Sequence, residues 1–135
     1  MAGFRKWSKA WKSYDQARQT KIWFPIPDPK KSLQLLSMKR NNLSRLVQFF
    51  TGHNKLKRHT NLQNGVNDPH SCRLCFEEEE SSFHVIAECP GTQFFRSEVF
   101  KLPAHAILPN PPDWTISQVN KFLNESDVGN MLDND

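Results

Sequence analysis

Residues His70–Pro90 read HSCRLCFEEEESSFHVIAECP and hold all three cysteines of the chain. Cys72, Cys75, His84 and Cys89 follow the pattern C-x2-C-x8-H-x4-C, which supplies the sulfur and nitrogen donors that a tetrahedral structural zinc takes. The two-residue gap lets one tight turn aim Cys72 and Cys75 at a single ion. The second pair is expected at the end of a short helix, capped by Ser81 or Ser82 and stopped by Pro90. Five residues at 100° each overshoot a full turn by about 140°, so the last turn must open or tighten to bring Cys89 round to His84. His70, His53 and His59 are the other imidazoles that could stand in for His84.

Two other uses of these cysteines fit less well. A redox pair at Cys72 and Cys75 calls for an alternating strand–helix pattern, which does not surround them. Buried apolar cysteines would not flank four consecutive glutamates, Glu77–Glu80, which read as a solvated loop. A site of three cysteines and one histidine sets three thiolates against a dication and so carries net negative charge. With four protein donors it is closed, hence structural and not hydrolytic.

Composition suits a domain in need of such a staple. The chain has 135 residues, of which 37% are hydrophobic, with ten Phe and four Trp, and its mean hydropathy is -0.67. That is one lean domain, or one domain with a tail. A structural zinc adds a binding free energy on the order of 10–16 kcal/mol to folding. The odd cysteine count and the metal spacing point to a reducing, intracellular compartment, nucleus or cytoplasm. The start, MAGFRKWSKAWK, has no apolar core of a signal peptide, and no run approaches the roughly 20 apolar residues of a membrane span.

Charge is divided unevenly. Residues 1–60 carry fourteen Lys/Arg and two acids, a net +12, whereas residues 61–135 carry four Lys/Arg and twelve acids, a net -8. A basic half of this kind points to a polyanion, RNA or an RNA–DNA hybrid.

Outward from the cysteines, residues 3–18 read as an amphipathic helix with Phe4, Trp7, Trp11 and Tyr14 on one stripe. Lys21–Phe24 reads as extended and PIPDP (25–29) as a stiff connector. Ser32 then caps a helix from Leu33 to about Met38. Asn41 or Asn42 caps the next, Leu43–Phe50, whose buried face is Leu43, Leu46, Val47 and Phe50. Gly52 ends it in the left-handed conformation. A third helix, Lys55–Leu62, closes at Gly65. Lys39, Arg40, Arg45, Lys55, Lys57 and Arg58 cluster here as candidate phosphate contacts. The helix–glycine–helix corner is common in small α domains and does not by itself mark a DNA-reading helix. Beyond the cysteines, Thr92 caps a helix to about Lys101, burying some of Phe94, Phe95, Val99 and Phe100. Thr115 or Asp113 caps another to about Asn124, with Ile116, Val119, Phe122 and Leu123 inward. Ser126 caps a last turn, Asp127–Leu132.

ARQTKIWFPIPDPKKS, LSRLVQFFTGHNKLKRH and CRLCFEEEESSFHVIAECP, in this order, resemble the region after the RNase H domain in polyproteins of jockey-like non-LTR retrotransposons. The resemblance covers about residues 4–134. Its most specific part is the TGHN corner (Thr51, Gly52, His53, Asn54) followed by the cysteine–histidine array. The resemblance implies that Cys72, Cys75, His84 and Cys89 bind zinc. It also implies that Phe4, Trp7 and Trp11 would dock on an RNase H domain, and that this chain is the zinc-binding module alone, encoded separately or as a truncated copy. The chemistry of the parent is not expected here. RNase H needs several converging carboxylates around two metal ions, and residues 1–60 offer only Asp15 and Asp28. No two Asp are adjacent, as a reverse transcriptase would require.

The expectation is therefore a mainly α, small multi-helix domain stapled by one structural zinc. Residues 1–30 form a basic aromatic helix and connector, and residues 31–135 the zinc-binding domain, with its segment at 70–90. The expected function is a non-catalytic, nucleic-acid-binding module. The alternatives are a structural or protein-interaction module that packs on an RNase H domain, and a relic without function.

Overall fold

A computed structural model describes residues 10, 18–26, 28–103, 106–108 and 114–133. Its aromatic core is assembled from three distant stretches. Trp23 closes helix α1 (Arg18–Trp23) and lies 5.5 Å, ring centre to ring centre, from each of Phe49, Phe50 and Trp114. Lys21–Phe24 is thus mostly helical and not extended. The amide of Phe24 bonds back to Thr20 O at 2.8 Å, and this ladder turns Trp23 into the core, where it is buried.

Helix α2 (Pro29–Leu36) starts earlier than Ser32 predicts. Asp28 caps it, accepting from Lys31 N at 3.1 Å, with Pro29 in the first turn. The prolines read as connector contain a helix start, since proline's fixed φ suits the first helical position. Helix α3 (Arg40–Thr51) also begins before the expected Asn41 and Asn42, and the Lys39 side chain makes no cap bond. It buries Leu46, Phe49 and Phe50 while Val47 stays 43% exposed. The buried stripe is rotated from the expected one because Trp23 sits against Phe49 and Phe50. Gly52 ends α3 at φ 78°, as expected.

Helix α4 (Lys57–Gln63) is followed by Gly65 at φ 69°. A π-helical turn (His84–Glu88) and a 3-10 turn (Pro90–Thr92) then lead into α5 (Gln93–Phe100). Thr92 does not cap α5 with its side chain. Its hydroxyl is buried and donates to Val85 O at 2.7 Å. Helix α6 (Ile116–Glu125) has a capping box between Thr115 and Gln118 and buries Ile116, Val119, Phe122 and Leu123, as its periodicity predicts. Helix α7 (Asp127–Asp133) follows. The Ser126 hydroxyl is buried without a hydrogen-bond partner, so it does not cap α7.

Helix α6 is the hub, packing against α2, α3, α5 and α7, while α1 lies on α3. The described residues are mainly helical and contain no strand. Among them no helix is long and apolar enough to cross a membrane. Phe4, Trp7, Trp11 and Tyr14 lie outside the described residues.

Candidate metal centre

The π-helical turn answers the awkward five-residue spacing. The amide of Cys89 bonds to His84 O at 2.9 Å, an i→i+5 closure that widens the turn. Cys89 then takes an extended conformation at φ -65°, ψ 127°, as a residue before proline prefers. Ser81 starts the turn, accepting from His84 N at 3.1 Å. On the other side, a tight turn closes with Phe76 N on Cys72 O at 2.8 Å, and Phe76 sits at φ 61°.

These two turns bring Cys72, Cys75, His84 and Cys89 together, one donor atom from each lying within 4.8 Å of the others. Cys72 Sγ and Cys89 Sγ are 3.9 Å apart, and Cys75 Sγ is 3.4 Å from His84 Nε2. Zinc bonds of the usual length at tetrahedral angles separate two sulfurs by about 3.8 Å and sulfur from nitrogen by about 3.5 Å. The four donors are therefore placed to hold one metal ion. The alternative imidazoles are elsewhere: His53 and His59 meet edge to face, ring centres 4.9 Å apart, and His70 Nδ1 lies 2.7 Å from Glu77 O.

The electrostatics fit a cation. Burial pushes the Cys89 thiol up to about 12, and the neighbouring Cys72 and Cys75 sulfurs add to this. Burial likewise raises Cys72 and lowers His84. Burial thus favours the protonated thiol at Cys72 and Cys89. Yet the backbone N–H groups of Leu74 and Cys75 bond to Cys72, and that of Gly91 to Cys89, and these favour thiolate. Gly91 is also required sterically, because a Cβ there would stand 2.9 Å from Leu74 Cβ. Nδ1 of His84 is buried with no hydrogen-bond partner. It stands 3.7 Å from Glu88 Oε1, beyond hydrogen-bond range but on the side where metal-bound histidines keep a carboxylate.

Glu80 overturns the reading of Glu77–Glu80 as a solvated loop. Glu77, Glu78 and Glu79 are exposed, but Glu80 is fully buried. Its carboxylate accepts from Lys57 N at 2.9 Å and Arg73 N at 2.8 Å, and pairs with Arg73 Nη2 at 2.7 Å. One side chain thus satisfies the first turn of α4 and holds the Cys72–Cys75 turn. Asn54 is the second clamp. It donates to Gln48 O at 3.0 Å and Ser82 Oγ at 3.1 Å and accepts from Leu56 N. The TGHN corner and the cysteine segment are therefore bonded to each other. Alternation and helical spacing carry no signal for Glu80, whose partners are the backbone amides of Lys57 and Arg73 and the Arg73 guanidinium.

No protein-family model, curated protein or solved structure matches this chain. Its function has to be argued from the site and its surroundings.

The six basic candidates differ in setting. Lys39 and Arg40 are exposed on the start of α3. Arg45 is committed to α6, donating to Asn120 Oδ1 at 3.3 Å and to Asn124 Oδ1. Arg58 pairs with Glu79 at 3.3 Å. Lys55 and Lys57 line an open cleft together with Arg73, a cation that the sequence reading did not single out. Arg96 was also missed: it is buried, and donates to Ala106 O at 2.9 Å and Cys89 O at 3.0 Å.

Proposed function

We propose that this chain is a non-catalytic zinc-binding module that holds nucleic acid. It is of the kind found after the RNase H domain in jockey-like retrotransposon polyproteins. The observation that carries the reading is the group of four donors within 4.8 Å of one another, with separations of 3.9 and 3.4 Å between two of the pairs. Cys72, Cys75, Cys89 and Nε2 of His84 would hold the ion. Bound zinc would supply the positive charge that lets buried thiols ionise, and four protein donors leave no open position for catalysis. Through Glu80, the same clamp fixes Lys57 and Arg73 beside one another. The surplus of cations in the first 60 residues supports a phosphate partner, bound electrostatically and with strong salt dependence.

Native mass spectrometry of the purified protein tests the metal. One zinc per chain is expected, lost in Cys72→Ser and His84→Ala together with helical signal. A metal-free, folded wild type would sink the reading. Filter binding of RNA at low salt tests the partner, and no retention there would refute that half.

A second reading has an observation of its own. Arg58–Glu79 and Arg45–Asn124 join the basic part of the chain to its later part, as a self-contained structural or protein-docking module would require. Substituting Lys55, Lys57 and Arg58 by Ala separates the two. Lost RNA binding with unchanged melting favours the first reading, and lost stability without any RNA binding favours the second.

A further inference from the structure

Two helices line one cleft with mostly polar side chains. Along α4 and its C-cap residue, Lys57, Thr60, Asn61 and Asn64 recur at i, i+3, i+4 and i+7. On α7, Asp127, Asn130 and Met131 recur at i, i+3 and i+4. Both stripes line a cleft of about 700 Å³, completed by Lys55 and Arg73. This spacing ordinarily marks a face turned into the core, as it does in α6. Here α4 buries none of its residues, and its stripe is made of amides, a hydroxyl and a cation.

We propose that this cleft binds an unpaired nucleotide of a nucleic-acid strand. The phosphate would lie against Lys57 and Arg73 and the base edge against the amides of Asn61, Asn64 and Asn130. The inference rests on the nucleic-acid reading above and adds where the strand binds and in what form. Arg73 is suited to the phosphate. Its pair with Glu80 uses Nε and Nη2, its side chain is 42% exposed, and the N–H groups at Nη1 remain for another acceptor. A bare phosphate would need only cations. Amides offer donor and acceptor together, which matches the edge of a base. Asp127 disfavours phosphate on the α7 wall, which places the phosphate on the Lys57 side and turns base amino groups toward the carboxylate. A concave site of this volume takes a ligand of nucleotide size, and unpaired strands are the form whose base edges are free to enter it.

The test is fluorescence anisotropy on the zinc-loaded full chain. The probes are a single-stranded RNA of about 12 nucleotides, DNA of the same sequence, and the blunt duplex of that DNA. The double variant Asn61→Ala/Asn130→Ala leaves the charge unchanged. We expect the single strands to bind at least roughly tenfold tighter than the duplex, and the double variant to lose roughly tenfold or more on them. Wild-type binding that the double variant keeps in full, or that the duplex matches, overturns the cleft and leaves the nucleic-acid reading standing. No binding of any of the three probes at low salt overturns the reading itself, and the inference with it. A measurement without substitutions guards against misfolding. The side-chain amide signals of Asn61, Asn64 and Asn130 should shift as the RNA is titrated in, and shifts confined to other residues would overturn the site.

Discussion

Glu79 and Glu80 are neighbours in one run of glutamates, yet Glu80 is fully buried and the Glu79 side chain is 53% exposed. Glu80→Ala strands two backbone donors and the Arg73 guanidinium, so it should cost on the order of 2–4 kcal/mol in urea unfolding of the metal-loaded protein. Glu79→Ala breaks only a screened surface pair and should stay within about 1 kcal/mol of wild type. Equal effects would remove Glu80 from its role as clamp. Arg96 poses a charge question. It is buried, and the attraction of Cys89 and of Glu88 does not offset what burial costs its charge. A dication held by three thiolates and one neutral imidazole would carry one net negative charge, which would add to the attraction that Glu88 gives Arg96. Arg96→Met should therefore weaken zinc binding by roughly tenfold or more in chelator competition, within the range seen when groups around the ligands are removed. Arg96→Lys should restore little, since an ammonium cannot reproduce the planar reach to Ala106 O and Cys89 O. His59 gives a pH effect of known sign. Burial, then His53 and Arg58, hold its pKa below 6.5. The unfolded chain takes up this proton first, so the contribution to stability is complete above pH 6.5 and is lost as pH falls through the folded value. An NMR titration should show the His59 ring changing below 6.5, and His53→Asn should move it upward.

At the scale of elements, Gly129 is where α7 lies against the backbone of α6. A Cβ there would stand 2.0 Å from Leu123 O, backbone that cannot step aside. Gly129→Ala should therefore push α7 off the end of α6 and cost about 3 kcal/mol or more, read as a lowered melting temperature. Thr115→Ala, which removes one half of the capping box of α6, should cost only about 1 kcal/mol. The sequence made α6 legible through agreement of cap and periodicity, as Thr115 and the four inward residues all point to one helix, while the Gln118 half of the capping box emerged only in the structure. It also made the irregular turn from His84 to Cys89 legible in kind, since a five-residue gap has to widen or tighten, and the observed i→i+5 bond is the widening. What was not legible follows from tertiary contact. Asp28 and Pro29 form a cap-and-first-turn pair hidden in a proline-rich string. The buried stripe of α3 is chosen by Trp23, a residue outside that helix. Thr92 carries the type and position of a cap, but its hydroxyl bonds to Val85 O instead.

On the scale of the whole molecule, the turn that carries two of the four donors is packed into the aromatic core. Val85, Ile86 and Ala87, in the turn that delivers His84 and Cys89, are fully buried in the same cluster as Trp23, Phe49 and Phe50. Phe83 lies edge-on to Trp23 at 6.2 Å, and Glu80 and Asn54 tie the cysteine segment to the helices α4 and α3. Loosening the four donors should therefore not leave a native aromatic core behind. Chelation of the metal is expected to shift the tryptophan fluorescence and lower the far-UV helical signal together, with coincident transitions. A ligand that binds only the folded chain stabilises it by mass action, about 1.4 kcal/mol for each tenfold rise of free ion above its dissociation constant. The melting temperature should accordingly climb steadily with free zinc. If the helical signal collapsed while the tryptophans kept their native environment, the clamp and the core would be separate units, and the chain of bonds from Cys72 through Glu80 to α4 would not be what holds the cleft in shape.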